Sequence, residues 1–383
     1  MLGYTEEDKF GYYQVGNFKF YSKLEAIEMH TRSGIHPHWN FNEAVFDSYD
    51  WTSEPSESIL DLYKNRALQL REKYDYIILM YSSGADSECI FNIFIDNNIP
   101  LDEVCSLINY EGSGDKTNYL NGEIFDFAIP LVEEAQKKQP NLKHRIIDTS
   151  SMTLSWHAEQ KIDNWIYEAS SMYAPNNIIR PQLPRRIPEW KLLTESGKKC
   201  CIIYGVDKPR MMQIDGKYYF QFIDFPVVQN GNTPIPVKEV PIVTELFFWT
   251  PDMPKIPIKQ AHIIKNYLNR PNIQTAPHIT TKRSQIAYKE IDNIKYWLSL
   301  DGCHSLVYPN LKRLIVKPPN NPSTIYGRRD DWFNKVLKSC DAGESWEKGI
   351  DYLLKKIPEY WLTNPEKPKL GFKGSPSKNY LIG

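Results

Sequence analysis

From Tyr76 to Tyr81 every side chain is large and apolar, and no polar position alternates with them. Such a run suits a parallel strand covered on both faces. The chain then turns small and polar at Ser82-Ser83-Gly84-Ala85-Asp86-Ser87, after which Ile90, Phe91, Ile93, Phe94 and Ile95 supply an apolar helix face. The alternation continues downstream. Val104–Asn109 reads as a second strand, 118–138 as a helix and Arg145–Asp148 as a third strand. After a longer excursion, Pro188–Lys198 reads as a helix with proline in its first turn, and Cys200–Tyr204 as a fourth strand. Strands alternating with helices predict an α/β fold on a doubly wound parallel sheet.

The flanks have a different rhythm. Tyr12–Tyr21 resembles a hairpin turning at Gly16-Asn17, and Ser22 with Glu25 forms a capping box that opens a helix. Glu54–Tyr74 starts Ser/Pro-rich and continues as an amphipathic helix. Lys217–Asp224 reads as a strand after the Asp215-Gly216 turn. Beyond residue 230 the chain is proline-punctuated. Thr244–Trp249 is an apolar stretch, Pro251–Pro257 an extended joint, Ile258–Leu268 a helix, 284–300 a further helix and 343–362 a last one. Lys367–Gly383 reads as an extended tail. The division predicted is an N-terminal hairpin and helix cap over 1–70, a central α/β domain over 71–230, and a mostly helical, proline-rich substrate or interaction region over 231–383.

Composition narrows the function classes. The 383 residues are 41% hydrophobic and 24% charged with a formal net charge of −1, so electrostatics give no case for nucleic acid or membrane binding. No apolar run approaches a membrane span and the first residues are no signal peptide, so a cytoplasmic protein is expected. Its Asn-, Ile-, Lys- and Tyr-heavy vocabulary is that of an AT-rich genome, a viral one in a host cytoplasm being one source. The six cysteines, Cys89, Cys105, Cys200, Cys201, Cys303 and Cys340, make no Cys-x-x-Cys pair, which suits a reduced compartment. Oligomeric state is left open, with a homo-oligomer among the expectations.

Candidate chemistry concentrates where the predicted strands end. A short turn of small residues between strand and helix aims several backbone N–H groups at one spot, and the helix dipole makes that spot favour phosphate. The plainer reading of 82–87 is a turn with a Ser/Asp helix cap. A second turn, Gly205-Val206-Asp207-Lys208-Pro209-Arg210, follows the fourth strand, and ligands of doubly wound sheets sit at such strand ends. There Gly205 permits close backbone approach, Asp207 is a candidate magnesium ligand, and Lys208 and Arg210 suit neutralisation of phosphate charge. The alternative is a solvated charged turn. Elsewhere, His36 and His38 are better read as loop residues than metal ligands, and Arg180, Arg185 and Arg186 as a solvated face. His157 is a weaker candidate acid or base. Lys259, His262 and Lys265 share one helix face that addresses either a phosphate or solvent, and Ile325–Phe333 either closes over a nucleotide or packs a Trp on the core.

Ser82-Ser83-Gly84-Ala85-Asp86-Ser87 resembles the Ser-Gly-Gly-x-Asp-Ser signature of the PP-loop ATP pyrophosphatases, over about residues 70–225. Ser83 stands where the first of two glycines is usual, and its Cβ disfavours positive φ. The turn is not a Walker A loop, since no Gly-Lys-Ser/Thr follows. The resemblance implies a HUP/PP-loop-type fold, with ATP and Mg²⁺ bound at the loop. Ser82, Ser83, Gly84 and Ser87 would then donate to pyrophosphate, with Ala85 at the free position and Gly205 facing the nucleotide. Asp86 would serve as a magnesium or loop-organising residue, and Lys208 and Arg210 would stabilise the leaving pyrophosphate.

The implied reaction is adenylation of a carbonyl or carboxylate, releasing pyrophosphate, followed by attack of a nitrogen nucleophile to form an amide or C–N bond. The acceptor substrate is not legible in the sequence. Met1-Leu2 argues against a built-in glutaminase with an N-terminal Cys, and the missing Cys-x-x-Cys pairs argue against tRNA-thiolating relatives. A sulfur-transfer or phosphoadenylyl-sulfate-reductase-like enzyme stands as an alternative, for which Cys303 and Cys340 are the late cysteines. A non-catalytic ATP- or AMP-binding module with a degenerate loop is another, and a protein that kept only the fold a third.

Overall fold

The turn at Gly16, whose φ is +59°, joins β1 (Tyr12–Val15) to β2 (Phe18–Phe20), as the Gly-Asn pair predicts. α1 (Lys23–Ser33) follows, with the Glu25 carboxylate accepting from the Ser22 backbone as half of the capping box. β3 (His38–Asn40) completes a three-stranded antiparallel sheet in the order β2-β1-β3. After the short α2 (Glu43–Phe46), α3 (Ile59–Lys73) begins where the Ser58 hydroxyl accepts from the Asp61 N–H at 3.1 Å. This cap sets the start of the amphipathic helix. The computed structural model describes residues 8–109, 121–159, 166, 179–206, 210–224, 242–271, 287–291, 294–299, 304–312, 333, 341–362 and 373–383.

The central sheet starts at β4 (Tyr76–Met80), followed by α4 (Ala85–Asp96) and β5 (Glu103–Ile108). Tyr76 through Leu79 are all buried, as a strand covered on both faces requires, and burying each of the three aliphatics contributes about 1.5–3 kcal/mol. The helix expected over 118–138 is described from Gly122 and is wound in two ways, a π-turn over Glu123–Ala128 and then α5 (Ile129–Gln136). Pro130 has no N–H to return to Asp126, which suits a change of winding there. β6 (Lys143–Asp148), α6 (Ser150–Glu159), α7 (Leu183–Arg186) and α8 (Pro188–Glu195) lead to β7 (Cys200–Tyr204).

β7 pairs with β4 on the side away from β5, with Tyr76 opposite Cys200. The antiparallel hairpin β8 (Arg210–Ile214) and β9 (Lys217–Gln221) then precedes β10 (Ile242–Leu246). β10 lies parallel to β7, Ile242 opposite Cys200, so the five-stranded sheet reads β10-β7-β4-β5-β6. All its pairings are parallel. The chain moves outward from β4 to β6, returns, and builds outward again through β7 and β10. The doubly wound α/β architecture is therefore as predicted, and its order reverses between β4 and β7.

The rest of the chain departs from expectation in two places. α9 (Lys255–Leu268) is a helix as predicted, but the described part of 284–300 is not. It forms β11 (Ala287–Ile291) and β12 (Ile294–Ser299), an antiparallel pair. Ile294, Tyr296 and Leu298 alternate with Lys295, Trp297 and Ser299, a period of two in strand-forming residues. α10 (His304–Val307) and α11 (Asp341–Lys356) follow, α11 packing on α6 around Trp156, Trp346, Ile350 and Leu353. The extended tail is built into the structure, since β13 (Tyr380–Leu381) pairs with β9 and completes a second sheet ordered β11-β12-β8-β9-β13. Among the described residues, no helix is long and apolar enough to cross a membrane.

Buried charge fastens β10 in place. The Glu245 carboxylate is fully buried and lies 2.8 Å from both Lys9 Nζ and Arg66 Nη2, and 3.0 Å from Lys73 Nζ. The Tyr74 phenol donates to the same carboxylate. Burial alone would raise the Glu245 pKa, but the charges of Arg66 and Lys9 and the Tyr74 hydroxyl overcome it and hold the group well below its ordinary 4.5. A depressed carboxyl stabilises the fold above its unfolded pKa, and that contribution fades as pH falls toward the folded value. Glu245→Gln leaves Lys9 buried without its counter-charge and Arg66 with only Asp252, 3.4 Å away, so urea unfolding at neutral pH should show a loss of about 3–5 kcal/mol. The difference between wild type and E245Q should shrink below pH 4.5; a gap independent of pH would contradict the buried-charge account.

Candidate functional site

The loop after β4 rests on β5. Tyr81 is buried, its N–H donates to Cys105 O at 2.8 Å, and its carbonyl accepts from the Ser106 hydroxyl at 2.8 Å. Ser82 emerges exposed. Ser83 is 1% exposed with φ +54°, the left-handed region where the resemblance places a glycine. A side chain there costs about 1–2 kcal/mol. The Ser83 hydroxyl recovers part of that by donating to Glu123 O of the π-turn at 2.8 Å. Gly84 is the N-cap of α4 and gives no side-chain cap, so the Ser/Asp cap of the plainer reading is not what starts this helix. Within the turn, the Ser82 N–H points to Ser87 Oγ at 3.4 Å, the Gly84 N–H to Ser82 Oγ at 3.3 Å, and Ser87 Oγ donates to Gly84 O at 3.1 Å.

The end of β7 comes against this turn. A Cβ built on Gly205 would stand 2.9 Å from Asp86 Cβ, 3.1 Å from Asp86 C and 3.2 Å from Ser87 N. Glycine is needed because strand and helix backbones nearly touch. The two turns singled out from the sequence thus meet where the strand order reverses, the crevice in which doubly wound sheets bind ligands. Val206 continues the contact sideways, its carbonyl accepting from the Phe248 and Trp249 N–H groups at the end of β10. Asp207 and Lys208 lie outside the described residues. Arg210 is exposed at the first position of β8, opposite Gln221 in the second sheet.

Sequence reasoning missed several neighbours of this edge. The Tyr308 phenol donates to Asp86 Oδ1 at 2.7 Å from a segment 222 residues away, and no local pattern announces it. Asn121 Oδ1 accepts from the Asn109 N–H and its amide donates to Asn109 O, while the Thr149 hydroxyl donates to Asn109 Oδ1 at 2.7 Å. The carboxyl ends of β5 and β6 are thereby lined with polar groups. Burial pushes the Tyr204 phenol up, and the nearby charge of Arg180 pulls it partly back. Arg180, expected on a solvated face, is half-buried near Tyr204, whereas Arg186 pairs with Glu159 at 2.8 Å.

Other candidates resolve into structural roles. His157 is buried among the rings of Trp156, Phe333 and Trp346, and burial pushes its pKa down to about 3, so it is neutral at physiological pH. The Lys259–His262–Lys265 face points inward. Lys259 pairs with Glu54 at 2.7 Å, the His262 ring lies 2.9 Å from Trp51 O, and Lys265 donates to Ile382 O. Periodicity gave that face correctly but not its neighbours. His38 pairs with Glu43 at 2.6 Å, and the His30 and His36 rings meet tilted, with centroids 4.4 Å apart. Of Ile325–Phe333 only Phe333 is described, and Cys303 and Cys340 lie outside the described residues. Cys89, Cys105, Cys200 and Cys201 are buried thiols whose pKa values burial raises.

The electrostatics set a condition on any anion. Asp86 and Glu88 occupy the first turn of α4, where they suit the helix dipole but oppose phosphate. Among the described residues, no group of three or more His, Cys, Asp or Glu side chains forms a metal cage. Magnesium ordinarily keeps phosphate oxygens and water in its shell, so a single carboxylate such as Asp86 is compatible with it.

Two substitutions check the geometry. Gly205→Ala must displace the first turn of α4, so a loss of about 1–3 kcal/mol in denaturant unfolding is expected. Ser83→Ala keeps the left-handed strain and loses a buried hydrogen bond, costing about 1 kcal/mol, whereas Ser83→Gly trades strain for that bond and should fall within a few tenths of wild type. Equal stability of S83A and S83G would refute the left-handed assignment. As for relationship to known proteins, no family model matches the chain, and neither a curated protein nor a solved structure matches it.

Proposed function

We propose that the chain is an ATP pyrophosphatase of PP-loop type that adenylates a carbonyl or carboxylate substrate for attack by a nitrogen nucleophile. The observation that carries this reading is the meeting of the Ser82–Ser87 turn and Gly205 at the β4/β7 reversal, with the N-terminus of α4 opening there. First-turn N–H groups have no acceptor within their own helix, so they suit pyrophosphate oxygens. A left-handed Ser83 keeps the backbone course that a glycine would give, which supports the resemblance despite the changed residue.

In this reaction a substrate oxygen attacks the α-phosphorus of ATP, the α–β bridging bond breaks and pyrophosphate leaves. The nitrogen nucleophile then attacks the activated carbonyl and AMP departs with the electron pair of the acyl C–O bond. The protein's work is orientation and charge neutralisation. Ser82, Ser83, Gly84 and Ser87 belong to the turn that holds pyrophosphate, while Lys208 and Arg210 stabilise it as it leaves. Asp86, with Asp207 as a second carboxylate, would hold or orient Mg²⁺, which when bound would supply positive charge to the phosphate oxygens. The four buried, unionised thiols weigh against sulfur transfer through those cysteines.

A second reading has its own support. Asp86 already accepts a hydrogen bond from Tyr308, which favours a loop-organising role and hence a module that binds nucleotide without turnover. Thermal unfolding with ATP and Mg²⁺, coupled to pyrophosphate detection over panels of carboxylates and amines, separates the two. The enzyme should gain a nucleotide-dependent shift, whose magnesium-dependent part shrinks in Asp86→Ala, and release pyrophosphate and AMP. A shift without pyrophosphate would favour the binding module. ADP and phosphate as products would sink the adenylation reading, as would the absence of any shift.

A further inference from the structure

Tyr308 reaches the loop from an anchored position. Its ring is fully buried and packs on Phe248 with centroids 4.9 Å apart, with Tyr63 at 6.5 Å. The residue before it is fixed by the Tyr63 phenol, which donates to Val307 O at 2.8 Å and itself accepts from the Gln260 amide at 2.8 Å. On the other side, the Asn310 amide donates to Cys89 O at 2.9 Å, and the Asn92 amide donates to Asn310 O at 3.0 Å. Cys89 and Asn92 both belong to α4, the helix that carries Asp86. The 307–310 strap is thus fastened to α4 in its second and third turns, and its phenol meets the carboxylate in the first. A donor restrained on both sides dictates where its acceptor sits.

We infer that Tyr308 is a positioning residue for the loop, fixing the Asp86 carboxylate at the start of α4 and so setting how tightly the site takes a divalent cation bridged to phosphate. This rests on the nucleotide reading above. The phenol engages Oδ1 and fixes the rotamer, so the approach of a cation to the carboxylate is set before any ligand arrives. A preset carboxylate gains affinity because no rotamer freedom is left to lose on binding. The device draws on residues far apart in sequence and ties the C-terminal third of the chain to the chemistry at residue 86.

Tyr308→Phe removes one oxygen and keeps the ring contacts. The Mg²⁺ concentration giving half of the ATP-dependent thermal shift should rise about tenfold or more, as for other residues that orient a metal ligand. The smaller shift with ATP in EDTA should stay as in wild type, and the substitution should add nothing in an Asp86→Asn background. A bond that only braces the fold would move the magnesium-free response as well. An unchanged magnesium midpoint overturns the inference while leaving the nucleotide reading intact. Amide hydrogen exchange without ligand supplies the independent arm: Ser83–Ser87 should exchange faster in Y308F while β4 and β5 keep their rates. Unchanged loop exchange overturns the positioning role itself. A wild type indifferent to ATP would overturn the nucleotide reading and the cation claim together, with exchange still deciding whether Tyr308 orders the loop.

Discussion

The approach of β7 to the first turn of α4 is the constraint on which the site depends. At Gly205 the two backbones come so close that even one methyl group has no room. That contact joins the turn after β4 to the turn after β7, and it fixes the width of the crevice between them. It also bears on how the loop holds a serine in the left-handed region. With α4 pinned from the β7 side, the chain between β4 and α4 has little freedom in how it turns, and Ser83 is held at φ +54° with its hydroxyl on Glu123 O. The strain is local and the restraint comes from packing around it.

A second regularity concerns how buried and half-buried carboxylates are satisfied. Tyr13 donates to Asp224, Tyr74 to Glu245, Tyr76 to Glu103 and Tyr308 to Asp86. Cations join several of them, Lys23 on Asp224, Arg145 on Glu103, and Lys9, Arg66 and Lys73 on Glu245. The tyrosine-rich composition thus acquires a physical sense. A phenol fills apolar volume with its ring and offers a donor at its tip, so it can enter a core and neutralise part of a carboxylate's desolvation at once. Trp190 does the same for Glu103 through its indole N–H.

What the sequence made legible follows from range. β4, the turn and α4 are continuous in the chain and strongly patterned, so their type and order could be read directly, as could β5, β6 and β7. β10 was visible only as an apolar stretch, because Thr244 and Glu245 interrupt it and the partners of Glu245 lie in other elements. The strands over 287–299 were misread because long apolar and polar residues suit either period in a short window, and pairing with β8 decides the matter. Likewise the basic face of α9 has helical spacing whether it meets solvent or, as it does, Glu54 and Trp51. Asn121 and Tyr308 carry no local signal at all. Their roles exist only once the chain has brought them to residues 109 and 86.

β10 has a consequence for the order in which a nascent chain can mature. While the ribosome is still decoding the segment before residue 242, β7 has an open outer edge, and Lys9 and Arg66 still lack Glu245. A polypeptide stopped near residue 230, where composition changes and a boundary looks natural, would keep that raw edge and those uncompensated cations for good. Exposed edges and buried unpaired charge are what chaperones and aggregation act upon. The outer strand of the parallel sheet is therefore a late product of synthesis, and the apparent seam in the sequence is a poor place to cut the protein.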